Sequence, residues 1–458
     1  MSVGSFPADP AFPQLGIATD PGLMKETFRT HLRPVGGKVY DIEDCRLTRI
    51  RYRQDSSRFL LYTLRLLEPD TGRERDLQVT GLLYAEENRA EQAWRKLQAT
   101  DPRQKIPNAW LTFEPVSYVP ELDMLVQVFP YDHRLPALPV LVAGPPPELE
   151  PLLLTRFGPG DWRVEAWNVE LVRYRGQGEA VLWCTASARN AATGRRTERR
   201  FYAKVHRHEK GEQTYQTLRA LRSQAGAREE GFTVVRPVAY LSDLRALILE
   251  EAPGTPLDEI LLRDRDTTGA VRRVAQALAA FNQGDAPATT RRHLLADEVA
   301  VLERAGRVLG WACPHLRPEV EFIIKGVLAG LEEVPLRPTH RHLSPGHIFL
   351  DGERTMFIDL DSFAKADPVL DPAHLLARLA MPALFPIPRQ RARTAAREFA
   401  EEYFAHVPGA WHDRLPFHYA GALLKISVGS FERQEPDWLG RIATLLEEAK
   451  ASLAGRVW

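Results

Sequence analysis

The chain has 458 residues, 44% hydrophobic and 26% charged, with 60 Lys+Arg against 60 Asp+Glu. Single hydrophobic cores stop growing at roughly 250–300 residues, so two or three packed units are expected. Zero net charge excludes a global attraction to nucleic acid or an anionic membrane, and no apolar run approaches the length of a membrane span.

Cys45, Cys184 and Cys313 lie far apart and form no CxxC pair, which fits buried thiols in a reducing compartment. The opening MSVGSFPADP has no basic stretch followed by an apolar one, so a cytoplasmic protein without a signal peptide is expected. Only 10 of the 60 basic residues are Lys, which gives weight to any Lys in a chemically suggestive setting.

The first half repeats itself. Arg51-Tyr52-Arg53 recurs as Arg173-Tyr174-Arg175, Thr71-Gly72-Arg73 as Thr193-Gly194-Arg195, and Pro115-Val116 with Tyr118, Leu122 and Leu125 as Pro237-Val238 with Tyr240, Leu244 and Leu247. All share an offset of 122 residues, and Glu91-Gln92 pairs with Glu212-Gln213 at 121. Residues 38–140 and 160–257 therefore read as two copies of one module: three strands, a helix, two strands. In the second copy, Val164–Tyr174 and Ala180–Ala188 flank the turn Gly176-Gln177-Gly178, and Arg200–Val205 follows a turn at Gly194. Tyr215, Leu218 and Leu221 mark a helix, and Val234–Leu241 with Ala246–Glu250 form a hairpin about Ser242-Asp243. Gly144-Pro145-Pro146-Pro147 reads as the linker between copies.

After Pro256 the pattern turns helical. Arg272–Phe281, Ala296–Leu309 and Val320–Leu331 carry apolar residues at spacings of three and four. Two short strands, His347–Leu350 and Met356–Leu360, meet at Asp351-Gly352. Helices resume at Pro368–Leu379, Arg389–Phe404 and Trp438–Leu453.

The run His340-Arg341-His342-Leu343-Ser344-Pro345-Gly346-His347, followed by Ile358-Asp359-Leu360-Asp361 and by Asp367-Pro368-Val369-Leu370-Asp371, resembles the H-G-D-x-x-x-x-N, I-D-F-[DE] and D-P-x-x-D segments of aminoglycoside phosphotransferases and related small-molecule kinases. The resemblance covers about residues 160–458. It implies an α+β, protein-kinase-like bilobal fold, with a β-rich N-lobe at 148–257, a helical C-lobe at 258–458, and a duplicated N-lobe-like module at 1–145. It also implies ATP or GTP with Mg²⁺ as ligands and a small hydroxyl-bearing molecule as acceptor.

A kinase holds nucleotide phosphates with a strand cation paired to a helix Glu. Lys204 and Glu212 suit these roles, with Glu209 as the fallback partner, whereas the first copy carries Leu82 or Leu83 where Lys204 would stand. Gly176 and Gly178 would let backbone approach phosphate, and Glu250-Glu251 mark the hinge that would face the base. Asp359 matches the metal-binding Asp, with Asp361 a second ligand or a substrate contact. Asp367 is read structurally, as an N-cap ahead of Pro368.

Two departures fall on residues the mechanism uses. His342 stands at the position of the catalytic Asp and His347 at that of the metal-binding Asn, while His340 matches the family's structural His. A neutral imidazole can accept a proton near pH 7, but it is a poor Mg²⁺ ligand. Three readings compete: a pseudokinase with a nucleotide-binding, regulatory or protein-interaction role; an active phosphotransferase using His342 as base; and a transition-metal site at His340, His342, His347 and Asp359.

Overall fold

The computed structural model describes residues 6–53, 57–227, 231–263, 267–287, 290–381 and 387–456, so Met1–Ser5 of the opening segment lie outside it. The first module begins with α1 (Leu15–Ala18) and α2 (Pro21–His31), then β1 (Asp41–Arg53), β2 (Ser57–Glu68) and β3 (Arg73–Tyr84). Next come α3 (Arg89–Gln98), β4 (Val116–Val119) and β5 (Met124–Val128). The connection holds α4 (Ala137–Ala143) and α5 (Glu150–Leu154) on either side of the proline run.

The second module repeats the order with β6 (Trp162–Tyr174), β7 (Glu179–Asn190), β8 (Arg196–His206), α6 (Lys210–Ala227), β9 (Phe232–Val234), β10 (Pro237–Leu241) and β11 (Ala246–Glu250). Its sheet runs β6-β7-β8-β11-β10, and that of the first module runs β1-β2-β3-β5-β4. The two orders are the same arrangement. A bulge between Ile42 and Asp44 in β1 also recurs between Val164 and Ala166 in β6, at the 122-residue offset.

β2 reads as an almost unbroken apolar run because both its faces are covered. Tyr62 packs edge-on against Phe28 of α2 and donates its hydroxyl to Ala18 O at 2.7 Å. The alternate residues Phe59 and Leu61 face the other way, into a core built jointly by both modules. Leu82 and Leu125 join them from the first sheet. Ala180, Leu182, Cys184, Phe201, Ala203 and Val205 come from the second, and Leu138, Leu141, Leu149 and Leu153 of the connection fill the space between. α2 is started by Asp20, whose carboxylate accepts Leu23 N–H at 2.9 Å, with Pro21 in its first turn.

Cross-strand register settles the choice between Leu82 and Leu83. Lys204 lies opposite Val181 and Leu247, and Leu82 lies opposite Phe59 and Leu125. Each of those partners corresponds at offset 122. Leu82 therefore stands at the Lys204 position, and its side chain is buried in the joint core.

The chain divides into two compact units. The first holds residues 1–212, 238–250 and 432–436; the second holds the remainder, so most of α6 and all of β9 pack with the helical part of the chain. That second unit adds β12 (Thr255–Pro256), α7 (Leu257–Arg263), α8 (Thr268–Gln283), α9 (Leu295–Ala312), α10 (Arg317–Gly330) and β13 (Arg337–Thr339). β14 (Ile348–Asp351), β15 (Arg354–Phe357) and β16 (Ala364–Ala366) follow, then α11 (Leu370–Ala380), α12 (Arg389–Ala405), α13 (Ala410–Glu432) and α14 (Trp438–Leu453).

Four expectations are corrected in detail. Val234–Leu241 is two strands, because β9 pairs in parallel with β15 while β10 pairs with β11 across a break at Arg236. His347 and Leu360 belong to short 3₁₀ turns, not to β14 and β15. α11 starts at Leu370, and Asp367 sits three residues ahead of it, accepting Val369 N–H at 3.0 Å. α13 was not expected; it is buried on nearly all sides and contains Pro416, so it shows no apolar stripe. No helix of the described residues is long and apolar enough to cross a membrane.

Replacing Leu82 with Ala should cost about 2–5 kcal/mol, the range for a large-to-small change in a packed core. Leu82→Lys should cost more, since an ammonium there has only apolar neighbours. Chemical-denaturation midpoints of the two variants test this, and near-wild-type stability for Leu82→Lys would contradict the filled-face reading.

Candidate functional site

In the first unit, β8 alternates. Ala203 and Val205 enter the joint core, and Lys204 leaves the sheet on the opposite face, where it is 7% exposed. Glu212 and Glu209 are both exposed near the start of α6. With burial as the larger cause, their charges raise the Tyr240 hydroxyl above its usual range. Gly211 lies tight against Tyr240 and His206, where an added Cβ would stand 2.8 Å from the tyrosine ring. Glu250 ends β11 and pairs with Arg156 at 3.3 Å.

The turn between β6 and β7 differs from a phosphate cradle. Gly176 and Gln177 both have positive φ, +53° and +46°, and Gln177 is only 2% exposed. The Gln177 N–H donates to Asp132 Oδ2 at 2.6 Å, and the same oxygen accepts the Tyr174 hydroxyl at 2.8 Å. Arg51 Nη1 donates to Gly176 O at 3.3 Å, and Arg207 N–H to Gly178 O at 3.1 Å. Gly176 and Gly178, expected as a backbone cradle, thus lie in a turn tied to the first module through the Gln177 N–H and the Gly176 carbonyl.

In the second unit, the loop from His340 to His347 is fixed from beneath. Asp371, fully buried on α11, accepts the backbone N–H of His340 at 2.8 Å and of Arg341 at 2.7 Å. It also accepts Asn282 Nδ2 at 2.9 Å. Asn282 in turn donates to Pro338 O and accepts the Tyr403 hydroxyl. Arg341 takes φ +69° where the motif has Gly. His340 is buried, with Nε2 donating to Ile358 O at 2.8 Å, which ties the loop to the strand leading to Asp359.

His342 is exposed, its ring edge-on to that of the buried His374 at 5.8 Å. His347 donates from Nδ1 to His342 O at 3.1 Å and points Nε2 at Asp359 Oδ2, 3.5 Å away. Both ring nitrogens thus face oxygen acceptors. Asp359 has φ +61°, and Asp361 follows it in a short 3₁₀ turn. This donor set does not fit Mg²⁺ in the family's manner, because an imidazole replaces a hard oxygen and leans on the remaining carboxylate. Among the described residues, His340, His342, His347 and Asp359 do not bring three ligand atoms within 4.8 Å of one another.

A cavity of about 260 Å³ opens in the same unit, lined among others by His293, Glu298, Glu332, Glu333, Asp367 and His418. Glu298 pairs with Lys425 at 2.7 Å and His293 at 2.9 Å, and Asp367 pairs with Arg414 at 3.0 Å and His418 at 2.9 Å. The rest of the lining is largely apolar, with Leu294, Leu295, Leu331 and Leu336 among it, and of its acidic residues Glu298 and Asp367 are already paired. Apart from Asp367, which opens the D-P-x-x-D segment, these residues are scattered in sequence without a shared motif that would mark them. Asp371 lay within the recognised D-P-x-x-D segment. Asp132 had no signal, since its counterpart in the repeat is Gly254.

Residues 185–412 match the phosphotransferase enzyme family. Among solved structures, the chain is similar to the GDP and kanamycin complex of APH(2")-IIia, at 14% identity and TM-score 0.44, covering 66% of this chain and 97% of that one. It is also similar to choline kinase from Cryptosporidium parvum Iowa II, at 10% identity and TM-score 0.43, covering 63% and 89%. ADP-bound aminoglycoside phosphotransferase APH(2'')-Ib gives 12% identity and TM-score 0.41, covering 68% and 99%. No curated protein matches the chain.

The buried ionisable groups of the second unit set an acid sensitivity. Burial, aided by the charges of Lys425 and His342, holds the His374 imidazole well below its usual range. It stays neutral in the fold while the unfolded chain takes up a proton below about pH 6.5, so stability falls as pH drops through that point. Burial would raise Glu298 and Asp367, but Lys425 with His293, and His418 with Arg414, outweigh it and hold both carboxyls well below the usual range. Their contribution is present above about pH 4 and is lost below it. His374→Gln should therefore flatten the loss of stability between about pH 6.5 and 5 while leaving the lower limb, as read from urea midpoints across pH.

Proposed function

Since residues 185–412 place the chain in the phosphotransferase enzyme family, with its kinase-like fold, we propose that it is a pseudokinase, binding ATP or GTP without ordinary phosphoryl transfer. The observation that carries this reading is the His347–Asp359 pair at 3.5 Å. The imidazole takes the Asn position and sets its own ring against the metal-binding carboxylate, so the group beside Asp359 is an imidazole and not the hard oxygen that would help to hold Mg²⁺. His342, in place of the catalytic Asp, removes the second element of the usual machinery.

The nucleotide lobe supports the binding half of this reading. Lys204 holds phosphates from the face of β8 opposite the joint core, Glu212 is the helix carboxylate that orients it, and Glu250-Glu251 form the hinge facing the base. The duplicated module, with Leu82 at the Lys position, serves as support and not as a second nucleotide site. The role that follows is regulatory, through nucleotide-dependent interaction with a protein partner in the cytoplasm.

A second reading has specific support. His342 is exposed on a loop whose scaffold, Asp371 and His340, is intact. The cavity of about 260 Å³ in the same unit, part apolar and part polar, would take a small hydroxyl-bearing acceptor. In this reading His342 accepts the acceptor's hydroxyl proton and Asp361 helps to orient it.

Calorimetry with ATP and GTP, with and without Mg²⁺, separates the two. The pseudokinase should bind nucleotide with little dependence on Mg²⁺, and Lys204→Ala should weaken binding about tenfold or more, as expected for a charge-assisted hydrogen bond. His347→Asn should restore Mg²⁺ dependence. Wild-type turnover with a sugar, amino alcohol or aminoglycoside, reduced by about 10²–10⁴ in His342→Ala with nucleotide affinity intact, would overturn the pseudokinase reading.

A further inference from the structure

The first module has lost the cation of a nucleotide site, yet it makes a close set of contacts with the one glycine turn the second module would use. Asp132 is 2% exposed and its carboxylate accepts three hydrogen bonds. Oδ1 takes Arg134 N–H at 2.8 Å, and Oδ2 takes both the Tyr174 hydroxyl and the Gln177 N–H. Phe59 fills the space beneath Gly176 so fully that an added Cβ there would stand 2.1 Å from its ring. Arg51 holds the Gly176 carbonyl from the side. A carboxylate, a ring and a guanidinium from one module thus fix three atoms of one turn in the other.

The direction of the hold matters. Tyr174 lies in the joint core with Ala203 and Val205, its ring 5.4 Å from that of Phe129, whereas Lys204 leaves the sheet on the opposite face. The Gln177 N–H therefore points to a protein carboxylate on the core side, not to a ligand beside Lys204. A turn N–H is a natural donor to phosphate oxygen, and here the same donor is already bound to an anion.

We propose that Asp132 is a positioning residue by which the first module latches the glycine turn away from nucleotide phosphates, so that releasing the latch converts the turn into a phosphate-binding element. The proposal rests on the reading of Lys204 as the phosphate-holding cation. It assigns the duplicated module a task that needs no ligand of its own. In the latched state phosphate recognition falls to Lys204 alone; in the released state the turn adds an N–H donor.

Two variants of the full chain test this, Asp132→Ala and the milder Tyr174→Phe, which removes one bond to Asp132 and leaves the Gln177 bond in place. Hydrogen–deuterium exchange over residues 174–179 reads the latch. Calorimetry with ATP, ADP and adenosine reads the phosphate effect. Asp132→Ala should speed exchange in that segment while β7 and β8 stay protected. It should raise ATP affinity about tenfold, as one charge-assisted hydrogen bond implies, with adenosine affinity unchanged. Tyr174→Phe should move both readouts the same way by less.

Unchanged exchange at 174–179 in both variants would overturn the latch. Faster exchange with no gain of ATP over adenosine would overturn the withholding, as would an equal loss for all three ligands, the mark of a merely structural residue. Repeating Asp132→Ala with Lys204→Ala keeps this separate from the nucleotide reading: wild type that binds no nucleotide sinks that reading, whereas Asp132→Ala that then gains ATP binding sustains the latch.

Discussion

Everything in the first unit depends on a single apolar core that neither sheet could build alone. The first sheet gives Phe59, Leu61, Leu82 and Leu125, and the second gives the opposite face of its equivalent strands, with Ala203 and Val205 at its centre. A Lys at position 82 would have to be buried among these side chains, so the joint core and a cation at that position exclude each other. The same alternation that commits Ala203 and Val205 to the core sends Lys204 out on the other side. One module had to give up its polar position for the pair to pack, and it is the one whose corresponding face is filled by the connection from Leu135 to Leu153.

The second unit separates scaffold from chemistry. Asp371, Asn282 and His340 hold the loop through buried, directional hydrogen bonds, and removing any one would strand a polar group in a dry interior. His342 and His347 sit at the loop's wetter edge, where substitution costs the fold little. The scaffold is therefore constrained by stability as well as by function, while the reactive positions are constrained by function alone. Keeping Asp371 says that the loop must be held in shape, whatever it does there.

Much of this was legible in the sequence, for reasons that differ by element. The common offset of Tyr52 with Tyr174 and of Leu125 with Leu247 marked the repeat because the two sheets share strand order and hence turn spacing. The strands of the second copy were readable from β-rich runs bounded by turn residues at Gly176-Gln177-Gly178 and Gly194, and α14 from its apolar spacing. α13 was missed because burial on nearly all sides erases the stripe. The break at Arg236 was missed because Val234 and Val238 look like one strand although they belong to different sheets. In the candidate site, Lys204 and the His340–Asp361 segment were found by local motif. Asp132 and the Glu298–Lys425 pair depend on contacts across 45 and 127 residues, and no local pattern encodes those.

Charge arithmetic bears most directly on the altered loop. A divalent cation is held by concentrated negative charge and hard oxygens. Exchanging Asp for His342 removes one carboxylate, and exchanging Asn for His347 removes an amide oxygen. The ring at 347 faces two acceptors, His342 O and Asp359 Oδ2. Neither imidazole is a hard oxygen ligand, so the two departures act in the same direction. The 3.5 Å contact between His347 and Asp359 also braces the Asp359 turn, whose φ is left-handed, against the loop beside it.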